Sequence, residues 1–187
     1  MSRDLVVVSG SPRSGTSMMM RALQCGGIPA FTDGAHQPDE HNPNGYYEHA
    51  RVARSRAEGL DWVGDARGMA VKVLFRGILL LPETLKADII WMVRAPEAIR
   101  ASWAAFNRGE SYVSHGMESL RDETRIAMEK RPGCRVLVVD YDDVVNNPQE
   151  MMAHVAKFLG GKLDVRAMAA VPEQRYRHHQ PQGGQDD

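Results

Sequence analysis

The chain has little net charge, few aromatic residues, almost no cysteine and no long apolar run, and each scarcity excludes something. Lys and Arg total 23 against 24 Asp and Glu, a formal net charge of −1. A globally basic nucleic-acid surface is therefore not expected, while a local anion site stays open. Aromatic residues make up 6% of the chain, too few for a base-stacking platform on single strands. The two cysteines, Cys25 and Cys134, form no CxxC pair, which argues against a disulfide framework and a cysteine zinc site. The apolar runs 6–8, 79–81 and 89–93 fall far short of the ~18 residues of a membrane helix. Met1-Ser2-Arg3-Asp4 leads at once into a strand-like segment and lacks signal-peptide anatomy. What is present is 187 residues, 43% of them apolar, enough for one compact core. The expectation is a soluble, cytoplasmic, single-domain protein: a domain over 1–171 and a tail over 172–187, its end frayed from 180.

Strand and helix signals alternate. Three β-branched runs, 5–8, 89–93 and 136–139, and a weaker one at 70–74, are apolar without alternation. That suits strands covered on both faces of a parallel sheet. Helical segments are expected at Thr16–Cys25, stopped by Gly26-Gly27; at 96–107, with Pro96 at the first helical position; at Met117–Lys130, ended by Pro132-Gly133; and at 149–159, stopped by Gly160-Gly161. The reading is an α/β, single-domain, three-layer P-loop-like fold with a central mostly parallel sheet flanked by helices. An α+β arrangement of the same elements is the alternative. Residues 31–45, rich in Gly, Pro, Asp, Asn and His, form a loop long enough to suggest function. Met18–Met20 reads as core packing.

The first strand runs into Ser9-Gly10-Ser11-Pro12-Arg13-Ser14-Gly15-Thr16-Ser17 and then a helix. Gly10 and Gly15 have P-loop spacing. Glycines let the backbone curl so that several N–H groups face one anion, and the helix N-terminus adds partial positive charge. Arg13 adds a formal charge. A P-loop NTPase places Lys after the second Gly; Thr16 stands there instead, which argues against ATP hydrolysis and not against an anion site. Downstream, the strand at 89–93 ends at Arg94, followed by Pro96 and a helix carrying Ser102. The carboxyl edge of an open α/β sheet is where ligands bind. Ala95, Ala98 and Ser102 share one helical stripe. Taken alone, Arg94 reads equally as a surface residue paired with a carboxylate. Asp140, at the end of the 136–139 strand, has the place of a Mg²⁺-binding Asp.

Ser11-Pro12-Arg13-Ser14-Gly15-Thr16-Ser17 resembles the 5′-phosphosulfate loop of the sulfotransferases that use 3′-phosphoadenosine 5′-phosphosulfate (PAPS). Arg94-Ala95-Pro96 with Ser102 eight residues after the Arg is similar to the family's 3′-phosphate segment. Asp140-Tyr141-Asp142-Asp143, Asn147-Pro148 and Phe158-Leu159-Gly160 resemble its third block, so the likeness spans roughly 4–160 and a short bacterial-type branch. The resemblance implies PAPS as donor and PAP as product. It implies that Arg13 contacts the bridging and sulfuryl oxygens. By the same resemblance the N–H groups of Ser14, Gly15, Thr16 and Ser17, with the Thr16 and Ser17 hydroxyls, would hold the 5′-phosphate. Arg94 and Ser102 would hold the 3′-phosphate, and Tyr141 would lie near the adenosine. Met18 stands where the cytosolic branch often places an adenine-stacking Trp.

Sulfuryl transfer needs a base to take the acceptor's proton. The family's Lys-Thr-His is here Lys72-Val73-Leu74: the Lys is kept, near the bridging oxygen or acceptor, and the His is absent. A strand-end Lys reaching to solvent is the other reading of Lys72. Asn42-Pro43-Asn44-Gly45-Tyr46-Tyr47-Glu48 resembles a segment of bacterial and carbohydrate-type relatives, so Glu48 is the first base candidate, placed in the first turn of the next helix. A first-turn Glu also serves as a cap. His49 and Glu40, then Asp33 and His36, follow as base candidates. His36 and His41 lack a third ordered ligand, and no metal is expected. Arg175-Tyr176-Arg177-His178 reads as a solvated basic tail or a further 3′-phosphate contact. The acceptor, a small molecule or carbohydrate, is expected against loops 31–47 and 107–116. A P-loop small-molecule kinase with a degenerate loop and a non-catalytic nucleotide-binding protein are the alternatives.

Overall fold

The computed structural model describes residues 4–35, 45–106 and 116–172. The parts of the two expected acceptor loops at 36–44 and 107–115, with Glu40, His36 and His41, lie outside them, as does the tail from 173 with Arg175–His178.

Four parallel strands form one sheet: β1 (Leu5–Gly10), β2 (Ala70–Lys72), β3 (Ala87–Val93) and β4 (Arg135–Asp140), in the order β2-β1-β3-β4. The chain leaves β1 to build β2 on one side, then crosses back to build β3 on the other. Winding therefore reverses between β1 and β3, which opens a crevice at their carboxyl ends.

Period-two alternation divides each strand between two cores. Leu5, Val7, Ile89, Trp91 and Val71 face one cluster with Trp62, Phe75, Ile78 and Met128. Val8, Ile90, Met92 and Ala70 face the other, with Met19, Met20, Leu23, Met152 and Val155. The first cluster is closed by α4 (Trp62–Asp65), α5 (Phe75–Ile78) and α7 (Met117–Lys130). The second is closed by α1 (Thr16–Cys25), α8 (Tyr141–Asn146), α9 (Pro148–Phe158) and α10 (Val165–Ala169). Single turns α2 (Ala50–Ala53) and α3 (Ser55–Glu58) precede α4, and α6 (Pro96–Phe106) follows β3. The result is the three-layer α/β arrangement expected. Met19 and Met20 are fully buried core residues.

One expectation about the strands fails. The 136–139 run does not lie covered on both faces. It is the edge strand β4, and Val138 is 42% exposed. Arg135 ties this edge inward, donating through Nε and Nη2 to the buried Asp88 carboxylate at 2.8 and 2.6 Å. It also donates to the Phe158 carbonyl at 2.8 Å and lies over that ring.

β1 ends where no side chain fits. Gly10 has φ 141, and a Cβ there would stand 2.5 Å from the Met92 carbonyl oxygen and 2.8 Å from Ser14 Oγ. Gly10→Ala is expected to destabilise the protein by about 2–4 kcal/mol through clash and strain combined. A drop in the denaturation midpoint at unchanged m-value checks this; an unchanged midpoint would mean that β1 is not pressed against β3 there.

Candidate active site

The loop after β1 is folded by its own residues. Ser14 turns back, its N–H and its hydroxyl both donating to the Ser11 carbonyl at 3.2 and 2.8 Å. Gly15 caps α1 in the left-handed conformation, φ 95. No side chain caps this helix, and no acidic residue sits in its first turn. The first N–H groups of a helix have no intrahelical acceptor, so here they point outward with the positive end of the helix dipole. Arg13 has φ 68, a left-handed backbone on a non-glycine residue that costs about 1–2 kcal/mol. Such strain persists where neighbours over-determine it. Two do: Arg13 Nε donates to Ser102 Oγ at 3.0 Å, and Arg94 Nη1 donates to the Arg13 carbonyl at 3.1 Å. Ser102 is buried on α6, on the stripe read from its spacing.

Arg94 leaves the carboxyl end of β3 and lies over Tyr141, its guanidinium carbon 4.1 Å from the ring centre. Its Nε is buried with no hydrogen-bond partner among the described residues, and no described carboxylate pairs with it. The surface ion-pair reading of Arg94 is thereby set aside. Tyr141 is buried and opens α8. Its ring presses on Gly15 so closely that a Cβ there would meet it at 2.6 Å. Asp140 caps α8, its Oδ1 accepting from the Asp142 N–H at 2.7 Å. That carboxylate is engaged at a helix start.

Lys72 does not reach to solvent. It is 8% exposed, and its Nζ donates to the Tyr46 carbonyl at 2.9 Å, to Glu48 Oε1 at 3.1 Å and to Ser17 Oγ at 3.2 Å. An ammonium has three N–H donors, so all have acceptors. Burial pushes the Lys72 ammonium below the ordinary lysine range; the Glu48 charge and hydrogen bond oppose this, and the Arg13 charge adds to it. The Ser17 hydroxyl donates to the Tyr46 carbonyl at 3.1 Å. What Ser17 offers an anion is thus its N–H rather than its hydroxyl proton.

The structure moves Glu48 relative to the sequence expectation. The helix it was to open starts at Ala50, and His49 is the cap, its Nδ1 accepting from the Arg51 N–H at 3.2 Å. His49 also stacks on Phe31 at 4.2 Å. Glu48 lies before the cap and turns its carboxylate, about one-third exposed, to Lys72. Asp33 is engaged elsewhere: its two oxygens accept from the Ala50 and Ala35 N–H groups at 2.6 and 2.9 Å. These bonds hold its carboxyl below the usual range. Of the described base candidates, Glu48 is the one whose carboxylate turns to Lys72 and the α1 end.

Sequence reasoning missed the clamp on 45–48. Tyr47 has φ 55, and its hydroxyl donates to Gln24 Oε1 of α1 at 2.9 Å. Thr32 Oγ1 donates to the Glu48 carbonyl at 2.9 Å. The only sequence signal for this clamp was Gly45 beside two tyrosines.

Residues 79–164 match the model of the sulfotransferase family. That span holds Arg94, Ser102 and Tyr141, and leaves out the loop after β1 and Glu48. Among solved structures, the chain is similar to the sulfotransferase STF1 of Mycobacterium tuberculosis, at 17% identity and TM-score 0.58, over 95% of this chain and 74% of that one. It is also similar to retinol dehydratase crystallised with retinol and PAP, at 16% identity and TM-score 0.48, over 94% of this chain and 65% of that one. A sugar kinase from Janibacter sp. aligns at 14% identity and TM-score 0.44, over 92% of this chain and 99% of that one. The fold assignment rests on the first of these. No curated protein sequence matches the chain. The resemblance read from the sequence is borne out, by family over 79–164 and by fold over 95% of the chain.

Proposed function

We propose that the chain transfers a sulfuryl group from PAPS to a hydroxyl or amine of a small-molecule or carbohydrate-type acceptor. One observation carries this reading. Arg13, Ser102, Arg94 and the uncapped start of α1 converge at the carboxyl edge of β1 and β3, and the Glu48–Lys72 pair is tied to the same helix through Ser17.

In this reading the N–H groups of Gly15, Thr16 and Ser17, with the Thr16 hydroxyl, hold the 5′-phosphate at the helix N-terminus; the Ser14 N–H, expected among them from the sequence, is engaged by the Ser11 carbonyl and shapes the loop instead. Arg13 stabilises the oxygens of the moving sulfuryl group. Arg94 and Ser102 bind the 3′-phosphate, and Tyr141 lines the adenosine side. The transferred group carries about one negative charge throughout, so preorganised N–H donors and an arginine stabilise its spread. Glu48 takes the acceptor's proton as the oxygen or nitrogen attacks sulfur in line. The Lys72 ammonium orients that carboxylate and, with three protein acceptors already, acts on the sulfuryl group only by giving one up. A kinase reading is weaker, because Thr16 stands where the phosphate-binding Lys is needed and the Asp140 carboxylate caps α8.

PAP should raise the melting temperature clearly more than AMP at equal concentration, since only PAP reaches Arg94 and Ser102. Thermal unfolding with each nucleotide checks this. Equal stabilisation by both would overturn the 3′-phosphate assignment, and stabilisation by neither would overturn the donor.

A further inference from the structure

The geometry points to a second duty for Arg94: it is a positioning residue that holds the donor loop in its anion-binding shape, whether or not a 3′-phosphate is present. The inference rests on the functional reading above and deepens it. Arg13 sits at φ 68, a conformation a non-glycine residue leaves unless it is held. Its side chain is held by Ser102, and its main chain is held by Arg94 Nη1 on the carbonyl oxygen at 3.1 Å. The next N–H along that peptide, on Ser14, donates to the Ser11 carbonyl at 3.2 Å. One peptide unit is thus fixed at both its polar ends, by Arg94 on one and the loop's own turn on the other.

Arg94 is itself fixed. Its guanidinium lies 4.1 Å above the Tyr141 ring, and that ring abuts Gly15. Arg94 therefore grips the loop at residue 13 directly and at residue 15 through Tyr141. A turn of the Arg13 backbone back to negative φ breaks the Arg94 bond and re-aims the peptide units that feed the α1 N-terminus. The guanidinium has five N–H donors, and this duty uses one. Apart from the buried Nε, which has no partner among the described residues, the rest remain for a phosphate oxygen.

The two duties give different results in one experiment. A residue that only binds the 3′-phosphate matters to PAP and not to AMP. A residue that shapes the 5′-phosphate cradle matters to both. Calorimetric titration of Arg94→Met with PAP and with AMP is expected to show each affinity lowered about tenfold or more, the size of losing a hydrogen bond that shapes a charged site. Arg94→Lys, whose ammonium still donates toward the Arg13 carbonyl, is expected to return AMP affinity to within about threefold of the unmodified chain. ¹⁵N relaxation on the ligand-free proteins gives a readout apart from binding: the Arg13 and Ser14 amides gain fast motion in Arg94→Met and not in Arg94→Lys. AMP affinity unchanged in Arg94→Met, or amides as rigid as in the unmodified chain, would overturn the inference and leave Arg94 a 3′-phosphate ligand alone. If the unmodified chain binds neither nucleotide, the donor assignment falls, and the relaxation comparison still decides the positioning role. If Arg94→Met does not fold, Arg94→Gln, too short to reach the Arg13 carbonyl, takes its place.

Discussion

Glu48→Gln is expected to lower turnover in the proposed PAPS-dependent reaction by about 10²–10⁴-fold, the range a positioned general base supplies, and to leave PAP affinity within about twofold. Glutamine keeps the shape of the side chain and an oxygen for the Lys72 N–H, and it cannot accept the proton. The donor cradle is built from other residues, on β1, α1, β3 and α6, so binding should survive. PAP release from PAPS, measured against a panel of phenols, alcohols and amino sugars, gives the rate; calorimetry with PAP gives the binding. One further sign follows. The Glu48 charge and hydrogen bond support the Lys72 proton against burial, so Lys72 should titrate lower in the variant than in the parent. Turnover unaffected by Glu48→Gln would move the base to another residue, with His49 the next of the described candidates. A parallel loss of PAP affinity would make Glu48 a structural residue of the cradle.

The parts of this molecule that the sequence disclosed are those set by local chemistry. Thr16–Cys25 and Met117–Lys130 start and stop where glycine and proline dictate. The cradle is legible because glycine spacing and a following helix are short-range facts. The rest depends on partners far apart in the chain. Nothing in the composition of 136–139 distinguishes an edge strand from a central one; that follows from the order β2-β1-β3-β4. Tyr141–Asn146 is rich in Asp and Asn, which favour turns. It becomes helical because Asp140 caps it and Tyr141, Val144 and Val145 are buried. The Lys72 clamp joins residues 55, 26 and 24 positions apart, and no local pattern announces such a meeting. Glu48 was legible as a candidate because its block resembles relatives. Its true setting, before the cap and turned to Lys72, depended on where α2 begins.

Arg13→Gly separates what this loop does for binding from what it does for stability. Glycine adopts φ 68 freely, so the substitution relieves about 1–2 kcal/mol of left-handed strain. Against that stand the extra flexibility of glycine in the unfolded chain, about 0.5–1 kcal/mol, and the lost Arg13–Ser102 hydrogen bond, about 0.5–1.5 kcal/mol. These terms oppose one another, and the loss of unfolding stability should be small beside the loss of binding. Arg13 brings the formal charge within the loop, and hydrogen bonds to charged groups are the stronger class, about 1.5–3 kcal/mol each. PAP affinity is expected to fall about 10–100-fold, and turnover further, because a contact to the sulfuryl oxygens strengthens as charge moves onto them. Denaturation and calorimetry on the same sample test both halves. A large loss of stability would show that Arg13 is needed to fold the loop. An unchanged PAP affinity would remove it from the donor site. The expected outcome is a strained arginine that folding alone does not require, held by Ser102 and Arg94 at the one loop position where its charge meets the donor.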